Sequence, residues 1–341
     1  LDNTVSIFGQ VVRNLLINGV DKSGDGLFIN YAHEFLVEHV GIINCNNGVH
    51  LKGPASYHVS MFKEVWETNN YYGFLAEEGA SHEPANNINV IGGRIRGDTV
   101  SVYVKGRCSK IKFYGTFISF GNTAIKIETT IEDSNEYLPD SISFIDCWIE
   151  TASTDKTFVD FVLASGGTIY PYACEFIGNY FTGDGGTLNF KGNRHRIISN
   201  NIGGYASGTW NINLDGNDNV MRDWTVSRPW DITLNYSISG TGNKVKDNYG
   251  YVTEKNVLSG TFPVDSTGLK SVTLNHECDY TPSPEDVQVT IVEDTDVDDW
   301  WGYVVKVKDI TSSQLTVDVY VADASATTGA KAKLSVRISR D

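Results

Sequence analysis

The feature that most constrains the fold of this chain is a repeated pair of short β-strands. Nine segments share an alternation of apolar and other residues, and they begin about 20 to 35 residues apart, a spacing typical of stacked repeats. These segments are GLFIN (26–30), GVHLK (48–52), GFLAE (73–77), SVYVK (101–105), AIKIE (124–128), VDFV (159–162), TLNFK (187–191), NINLD (211–215) and DITLN (231–235). Six of them follow a second kind of strand: VSMFKEVWE (59–67), INVIGGRIR (88–96), IKFYGTFIS (111–119), ISFIDCWIE (142–150), CEFIGNYFT (174–182) and RIISNNIGG (196–204).

Repeats of this size stack into a parallel β-helix, in which each coil buries its apolar residues against the coils above and below. Alternation along a strand points every second side chain inward, and Asn and Gly supply the conformations that corners require. The sequence therefore predicts an all-β fold in which residues 1–250 form a right-handed parallel β-helix that binds and processes the substrate. Its predicted inward residues are Leu27, Ile29, Val49, Leu51, Val102, Val104, Ile125, Ile127, Leu188 and Phe190.

The pattern changes after Gly250. The strands become longer, alternate over six to eight residues, as in QLTVDVYV (314–321), and are separated by turn clusters such as TPSPED (281–286). This pattern of strands and turns predicts a small C-terminal antiparallel β-sandwich module, residues 258–341, with a role in trimerisation or in carbohydrate binding.

Charge and cysteine content narrow the range of ligands. With 42 Asp and Glu against 27 Lys and Arg, the formal net charge of -15 argues against nucleic acid and against an anionic membrane surface, whereas neutral sugars remain open. The five cysteines are widely spaced and include no C-x-x-C, so we expect buried free thiols. Apolar runs are too short for membrane insertion. The histidines show no metal-ligand spacing, and we expect neither a metal nor another cofactor.

With the coils and the terminal module in place, the sequence resembles the pectin-lyase-like β-helix proteins, and among them phage tailspikes and capsule depolymerases. The residues that carry the resemblance are the strand repeats, the W-x-E corner in CWIE (147–150) and SVTLNHECDYTPSPEDVQVT (271–290). The resemblance implies a homotrimer, on a phage tail or otherwise extracellular, that presents elongated grooves to a bacterial surface polysaccharide. It transfers no catalytic residue, because the carboxylates of tailspikes have no fixed motif.

Equivalent outward positions of successive coils form columns, since neighbouring strands lie about 4.8 Å apart. One predicted column runs Asn30, Lys52, Glu77, Lys105, Glu128, Val162, Lys191, Asn213 and Asn235. Its companion runs Phe28, His50, Leu75, Tyr103, Lys126, Asp160, Asn189, Asn211 and Thr233. Long insertions flank the middle coils on both sides, and such loops on a rigid scaffold are where ligand sites usually lie. The predicted substrate-binding residues on and beside this surface are Tyr71, Tyr72, Glu77, Tyr103, Lys105 and Lys126.

Glycoside hydrolysis needs two carboxyl groups, roughly 5–5.5 Å apart for retention and roughly 6.5–9.5 Å apart for inversion. Glu128 and Asp160 lie on adjacent coils and two residues apart along the strand, so their backbone positions are about 8 Å apart. They are the predicted acid and base. Glu77 and Glu128 share a column with Lys105 between them, a pattern more typical of a ladder of ion pairs.

The corner CWIE offers a further aromatic residue and a further carboxylate. Trp148 is predicted to point outward, where it could line a sugar site or pack beneath a neighbouring subunit. Glu150 either completes a structural corner or serves as a lone acid at the edge of the cleft. Its predicted column also contains Glu67, three coils and about 14 Å away, which is too far for a pair. Trp66 aligns with Ile95, Ile118 and Ile149, which predicts a core position.

Three functions remain open at this point. The first is endo-glycoside hydrolysis of a bacterial surface polysaccharide, the second is polysaccharide lysis by a base such as Tyr103, Lys105 or Lys126, and the third is binding without cleavage as a receptor-binding spike. The chain opens in mid-pattern at Leu1, so we expect it to be part of a longer protein.

Overall fold

The computed structural model describes residues 7–53, 60–68, 70–79, 83–151, 156–204, 208–227, 232–246, 248, 254–264, 266–276, 281–284, 287–292, 303–322 and 331–339. The chain divides into two compact units, Leu1–Tyr251 and Val252–Asp341. Within the described ranges there is no helix long and apolar enough to cross a membrane.

The strands of the first unit are short, and their bounds follow the predicted repeats. In chain order they are β1 (Ile7–Phe8), β2 (Val11–Asn18), β3 (Asp25–Asn30), β4 (Ala32–His33), β5 (Leu36–Ile43), β6 (Asn47–Lys52), β7 (Ser60–Lys63), β8 (Trp66–Thr68), β9 (Asn70–Glu77), β10 (Ala85–Ile91), β11 (Arg94–Lys105), β12 (Cys108–Tyr114), β13 (Phe117–Phe120), β14 (Thr123–Glu128), β15 (Thr130–Glu132), β16 (Asn135–Tyr137), β17 (Ser143–Ile145), β18 (Trp148–Glu150), β19 (Lys156–Val162), β20 (Glu175–Ile177), β21 (Tyr180–Thr182), β22 (Gly186–Lys191), β23 (Arg196–Ile198), β24 (Asn201–Gly203), β25 (Gly208–Asp215), β26 (Val220–Arg222), β27 (Thr225–Ser227), β28 (Ile232–Ser239) and β29 (Lys244–Lys246).

These strands wind into three faces of parallel strands. Face I contains the first halves of β2 and β5 and then β7, β10, β12, β17, β20, β23, β26 and β29. Face II contains the second halves of β2 and β5, β8, the start of β11, β13, β18, β21, β24 and β27. Face III contains β3, β6, β9, the end of β11, β14, β19, β22, β25 and β28. The predicted parallel β-helix is confirmed, and each of the nine predicted second strands lies in face III.

The core runs along the inside of the three faces. Burying aliphatic and aromatic side chains supplies most of the driving force for such a stack. Nine of the ten predicted inward residues are at most 1% exposed, and Leu27 packs partly buried against the same cluster. Phenylalanines of successive coils stack within it, with ring centroids 4.8 Å apart for Phe113 and Phe144 and 5.0 Å apart for Phe144 and Phe176.

Asparagine side chains hold the corners between faces I and II. The Nδ2 groups of Asn179 and Asn200 donate to the carbonyl oxygens of Phe144 and Phe176, at 2.9 Å in both cases. The backbone N–H of Asn179 donates in turn to Oδ1 of Asn200 at 3.0 Å. Both asparagines are fully buried, so these bonds satisfy backbone groups that the turn removes from the strand ladders.

The register of the last two coils differs from the predicted columns. Asn189 pairs with Asn213, Lys191 with Asp215, and Asn235 with Asn211. The predicted columns are therefore wrong in β25 and β28, by two or four residues. An even slip keeps every side chain on its predicted face, so the alternation of apolar residues cannot detect it.

The second unit contains six antiparallel strands in the described ranges. They are β30 (Glu254–Pro263), β31 (Gly268–Asn275), β32 (Val287–Val292), β33 (Tyr303–Ile310), β34 (Gln314–Val321) and β35 (Lys331–Ser339). One sheet has the order β30-β35-β32 and the other β31-β34-β33. Phe262, Leu315, Val317 and Leu334 belong to one buried cluster shared by both sheets, which confirms the predicted antiparallel sandwich. Its first strand begins ahead of the predicted start at residue 258.

The described cysteines are free and buried, as predicted. They are Cys45, Cys108, Cys147 and Cys174, while Cys278 lies outside the described residues. Burial raises the pKa of the Cys147 and Cys174 thiols to about 12, which keeps them protonated and unreactive.

Candidate functional site

The middle of face III carries the predicted columns. Glu77 pairs in register with Lys105, and Lys105 pairs with Glu128. Tyr103 pairs with Lys126, and Lys126 pairs with Asp160. The structure therefore brings these six predicted residues onto one outward surface, which carries two clusters of contacts.

The first cluster centres on the carboxylate of Glu77. The imidazole of His50 lies between two carboxylates, with Nδ1 2.7 Å from Asp25 Oδ2 and Nε2 3.0 Å from Glu77 Oε1. Lys105 Nζ approaches Glu77 Oε2 to 2.6 Å, and Lys52 Nζ lies 3.6 Å from Oε1. Because the side chains of Glu77 and His50 are only 14% and 12% exposed, solvent screens these pairs weakly.

The charges of this cluster stabilise one another. Partial burial acts to raise the pKa of Glu77, but the hydrogen bonds from His50 and Lys105 lower it to about 2. Burial likewise acts to lower the pKa of His50, yet its hydrogen bonds to Asp25 and Glu77 raise it above the usual 6.5. The raised pKa of His50 and the lowered pKa values of Asp25 and Glu77 favour an imidazolium between two carboxylates.

The second cluster centres on Glu128. The Tyr103 hydroxyl donates to Glu128 Oε2 at 2.5 Å, and Lys126 Nζ lies 2.5 Å from the same oxygen. The Lys126 ammonium also lies 4.8 Å from the centroid of the Tyr103 ring, a cation–π arrangement. Both polar contacts involve Oε2, and among the described residues Oε1 has no such contact, so Oε1 can accept a hydrogen bond from water or a sugar hydroxyl.

These contacts decide the protonation of Glu128. Burial acts to raise its pKa, but the hydrogen bonds from Lys126 and Tyr103 lower it below the usual value. Burial and the hydrogen bond to Glu128 raise the pKa of the Tyr103 hydroxyl, which therefore stays protonated. At neutral pH Glu128 is a carboxylate, suited to act as a base and not as an acid.

Asp160 lies beside this cluster. Its backbone is in register with Lys126, one strand and two residues away from Glu128, as the sequence predicts. Asn189 Nδ2 donates to its Oδ1 at 3.4 Å. The two carboxylates thus share a surface at a backbone separation of about 8 Å, and their assignment as acid and base stays a prediction.

Three tyrosines flank the clusters. The rings of Tyr71 and Tyr72 have centroids 5.0 Å apart, and those of Tyr72 and Tyr103 are 5.9 Å apart. Tyr71 is 45% exposed. Flat rings next to charged groups can stack on pyranose faces while the charges bond the hydroxyl groups.

An open groove of about 390 Å³ borders the Glu77 cluster. Lys52, Glu77 and Lys105 line one side, and Thr130 and Glu132 of the inserted β15–β16 hairpin line the other. Insertion residues 80–82 and 152–155 lie outside the described residues. The β15–β16 hairpin is the predicted insertion that follows β14, and it borders the groove at the edge of face III.

Trp148 and Glu150 lie on face II, away from these clusters. Trp148 is 48% exposed, and its ring lies 5.8 Å from that of Phe117 and 5.6 Å from that of Tyr180. Glu150 pairs in register with Ser119 and is partly exposed. The structure does not bring either residue to Tyr103 and Glu128, so any role in sugar binding belongs to a separate surface.

The predicted core position of Trp66 is wrong. Trp66 pairs with Arg94, not with Ile95, and it is 57% exposed. The predicted alignment placed Val59 opposite Ile88, whereas Ser60 occupies that position. A slip of one residue moves every side chain of a strand to the other face.

The same slip removes Glu67 from the column of Glu150. The Glu67 backbone pairs with Ile42, and its side chain lies outside the described part of the chain. A one-residue slip of the same kind occurs at β23, where Arg196 pairs with Glu175 and not with Cys174.

Sequence reasoning missed His50 and Asp25. His50 was considered only as a possible metal ligand. The predicted columns already place it on the strand next to Glu77, two residues away along the strand direction. Among the described residues, no group of three or more His, Cys, Asp or Glu is arranged to hold a metal ion.

Comparisons with known proteins give structural neighbours only. No protein-family model matches the chain, and no curated protein matches it. The solved structures that it resembles include the Gp54 tailspike of Acinetobacter baumannii bacteriophage AP22, in complex with A. baumannii capsular saccharide, at 12% identity over 93% of this chain and 62% of that chain, with a TM-score of 0.39. They also include DFA-IIIase from Arthrobacter chlorophenolicus A6 in complex with DFA-III, at 11% identity over 65% of this chain and 44% of that chain (TM-score 0.30). A third is the tailspike gp49 from Pseudomonas phage LKA1, at 12% identity over 92% of this chain and 67% of that chain (TM-score 0.24).

Phage tailspikes are therefore among the structures that this chain resembles, as the sequence predicted. The chain spans about three fifths of the length of the Gp54 tailspike.

Proposed function

We propose that this chain belongs to a phage tailspike that binds a bacterial surface polysaccharide along face III and cleaves it by endo-glycoside hydrolysis. The observation that carries the proposal is the Tyr103–Lys126–Glu128 cluster, which keeps one carboxylate ionised beside a second outward carboxylate, Asp160. A homotrimer attached to the virion tail is part of the same proposal.

In the proposed reaction, Glu128 Oε1 takes a proton from a water molecule, and the water oxygen attacks the anomeric carbon. The glycosidic bond breaks as Asp160 gives a proton to the departing oxygen. The backbone separation of about 8 Å is compatible with the roughly 6.5–9.5 Å between carboxyl groups that leaves room for that water, which favours inversion of the anomeric centre. Tyr72 and Tyr103 would stack on the sugar rings, and the Glu77 cluster would bond hydroxyl groups of the next sugar.

A lyase fits the same surface less well. A lyase needs a base that removes a proton beside a carboxylate, together with a cation that neutralises that carboxylate. The pKa of Tyr103 is raised by burial and by Glu128, which disfavours its loss of a proton. Lys105 and Lys126 already pair with Glu77 and Glu128.

Binding without cleavage is the second candidate function. The ion pair with Lys126 and the hydrogen bond from Tyr103 make Glu128 a weaker base, and a ladder of paired charges is also a recognition surface. A receptor-binding spike would use the same tyrosines and the same groove without turning over its ligand.

The products distinguish the three functions. A screen of bacterial capsular and surface polysaccharides first identifies a bound glycan. New reducing ends without ultraviolet absorbance then indicate a hydrolase, an absorbing unsaturated product indicates a lyase, and unchanged glycan indicates a binder.

Two variants test the assignment of roles. Glu128→Gln and Asp160→Asn should each reduce turnover by about 100-fold or more, with glycan binding nearly unchanged. Asp215→Asn is the matched control, because Asp215 is an outward carboxylate of face III that accepts a hydrogen bond from Ser239. Full activity in both test variants would exclude the pair.

A further inference from the structure

A second groove lies on face I, on a different side of the β-helix from the clusters of face III. It is open, has a volume of about 480 Å³, and crosses β10, β12, β17, β20 and β23. Five strands at the usual spacing give it a length of about 19 Å along the axis of the stack. This is enough for several units of a linear polymer.

Cations line this groove in register. One column along it runs Asn89, Lys112, Ser143, Glu175 and Arg196. Lys110 lies two residues before Lys112 on β12, and Arg194 lies two residues before Arg196, ahead of β23; the backbone has positive φ of 53° and 60° at these positions. The groove therefore presents two pairs of cations, Lys110 with Lys112 and Arg194 with Arg196, three strands and about 14 Å apart.

Most of these cations have no acidic partner. Arg196 Nη1 donates to Glu175 Oε1 at 2.8 Å, and Ser143 Oγ donates to Glu175 Oε2 at 3.1 Å. Among the described residues, no carboxylate forms an ion pair with Lys110, Lys112 or Arg194 (the Arg194 guanidinium lies over the Tyr172 ring, 5.5 Å from its centroid).

Unpaired cations are notable on this chain because its formal net charge is -15. Four cations and one carboxylate give the groove a local positive charge on an otherwise acidic molecule, and a positive cleft concentrates anions. The column that contains Lys110 and Arg194 continues to Asp218, because Arg196 pairs with Val220 two residues later. This column is therefore no longer cationic beyond Arg194.

We propose that the groove on face I binds a linear polysaccharide that carries carboxylates at intervals. The two cation pairs bond carboxylates that are separated by uncharged sugars, and Asn89 bonds hydroxyl groups beside them. Glu175 stands between the cation pairs and repels a polymer with a charge on every unit at that point. That position disfavours nucleic acid, whose phosphates form an unbroken line.

The test uses the full chain and a probe of known chemistry. Hexamers of galacturonic acid, partially methyl-esterified so that charged and neutral units occur together, are titrated into the protein and followed by calorimetry. The neutral glucose hexamer and a single-stranded hexadeoxythymidine are titrated in parallel. We expect binding of the acidic hexamer that weakens with added salt, and no comparable binding of the other two probes.

Variants identify the groove as the binding surface. Lys110→Gln combined with Lys112→Gln should weaken binding of the acidic hexamer by about ten-fold or more, because two charge-assisted contacts are lost. Lys244→Gln is the matched control, since Lys244 is exposed in the same column two strands beyond Arg196. Glu175→Gln should tighten binding of the acidic hexamer, because it removes a carboxylate that lines the groove.

Several results would overturn the inference: equal loss in the Lys244 control, unchanged affinity in the double variant, weaker binding in Glu175→Gln, or binding of hexadeoxythymidine as tight as that of the acidic hexamer. The inference does not rest on hydrolysis at face III. Glycan cleavage by the double variant should match the parent chain, so failure here and failure of the Glu128 and Asp160 assignment give different readouts.

Discussion

Replacing Glu77 by Gln tests whether the charge cluster of face III stabilises the fold. The substitution keeps the shape of the side chain but removes the charge that His50, Lys105 and Lys52 share. The pKa of Glu77 is about 2 in the folded chain against an ordinary 4.5. A pKa difference of one corresponds to about 1.4 kcal/mol, so ionised Glu77 contributes up to about 3 kcal/mol near neutral pH. We expect Glu77→Gln to lower the free energy of unfolding by about 2 to 3 kcal/mol, because Gln retains part of the hydrogen bonding.

The effect should depend on pH in a defined direction. The pKa of Glu77 is lowered in the folded state, so its contribution is present above 4.5 and is lost as the pH falls towards 2. The pKa of His50 is raised, so its contribution is present below 6.5 and is lost as the pH rises through its folded value. The difference between the parent chain and Glu77→Gln should therefore be largest between pH 4.5 and 6.5 and smaller at pH 3.

Urea unfolding followed by tryptophan fluorescence, at one protein concentration and at pH 3, 6 and 9, measures this difference. Trp210 and Trp224 are buried in the same unit as Glu77 and report on it. Glu38→Gln is the control, because Glu38 pairs with the 44%-exposed Lys63, and the substitution should cost less than about 1 kcal/mol. A loss in Glu77→Gln that is no larger than in the control at pH 6, or that is the same at pH 3 as at pH 6, would refute the reasoning.

The remaining predictions concern the core, a corner and the assembly. Ile127→Asp should destabilise the chain by at least about 4 kcal/mol, against about 1 kcal/mol for Ile127→Val, because an unpaired charge would enter a fully buried site; urea unfolding measures both. Asn200→Ala should cost about 2 kcal/mol in the same assay, since it leaves the Phe176 carbonyl and the Asn179 N–H unpaired. If the proposed homotrimer uses the exposed tryptophans of face II, Trp66→Ser combined with Trp148→Ser should shift sedimentation towards the monomer; a parent chain that sediments as a stable monomer would contradict the trimer.

Much of the fold was predictable because it repeats. Each of the nine coils shows the same alternation, so an error in one coil is outweighed by agreement in the others. The pairs that matter most for the proposed site, Tyr103 with Lys126 and Lys126 with Asp160, were predicted by aligning the repeated segments of successive coils. The alignment failed in coils of unusual length. There an error of one residue in the register led to the wrong prediction that Trp66 lies in the core.

The sequence by itself determined the class of fold and the inward residues, because alternation with a period of two decides which side chains avoid water. It also predicted the outward columns of the middle coils, because the repeated segments there can be aligned with one another. Only the tertiary structure decided which outward charges meet. Asp25 and His50 contact because successive strands lie about 4.8 Å apart and long side chains reach diagonally across them. The groove on face I likewise depends on the pairing of strands that are far apart in the chain, such as β12 with β17. Contacts of this kind depend on register and side-chain reach in three dimensions, which a pattern along one strand does not contain.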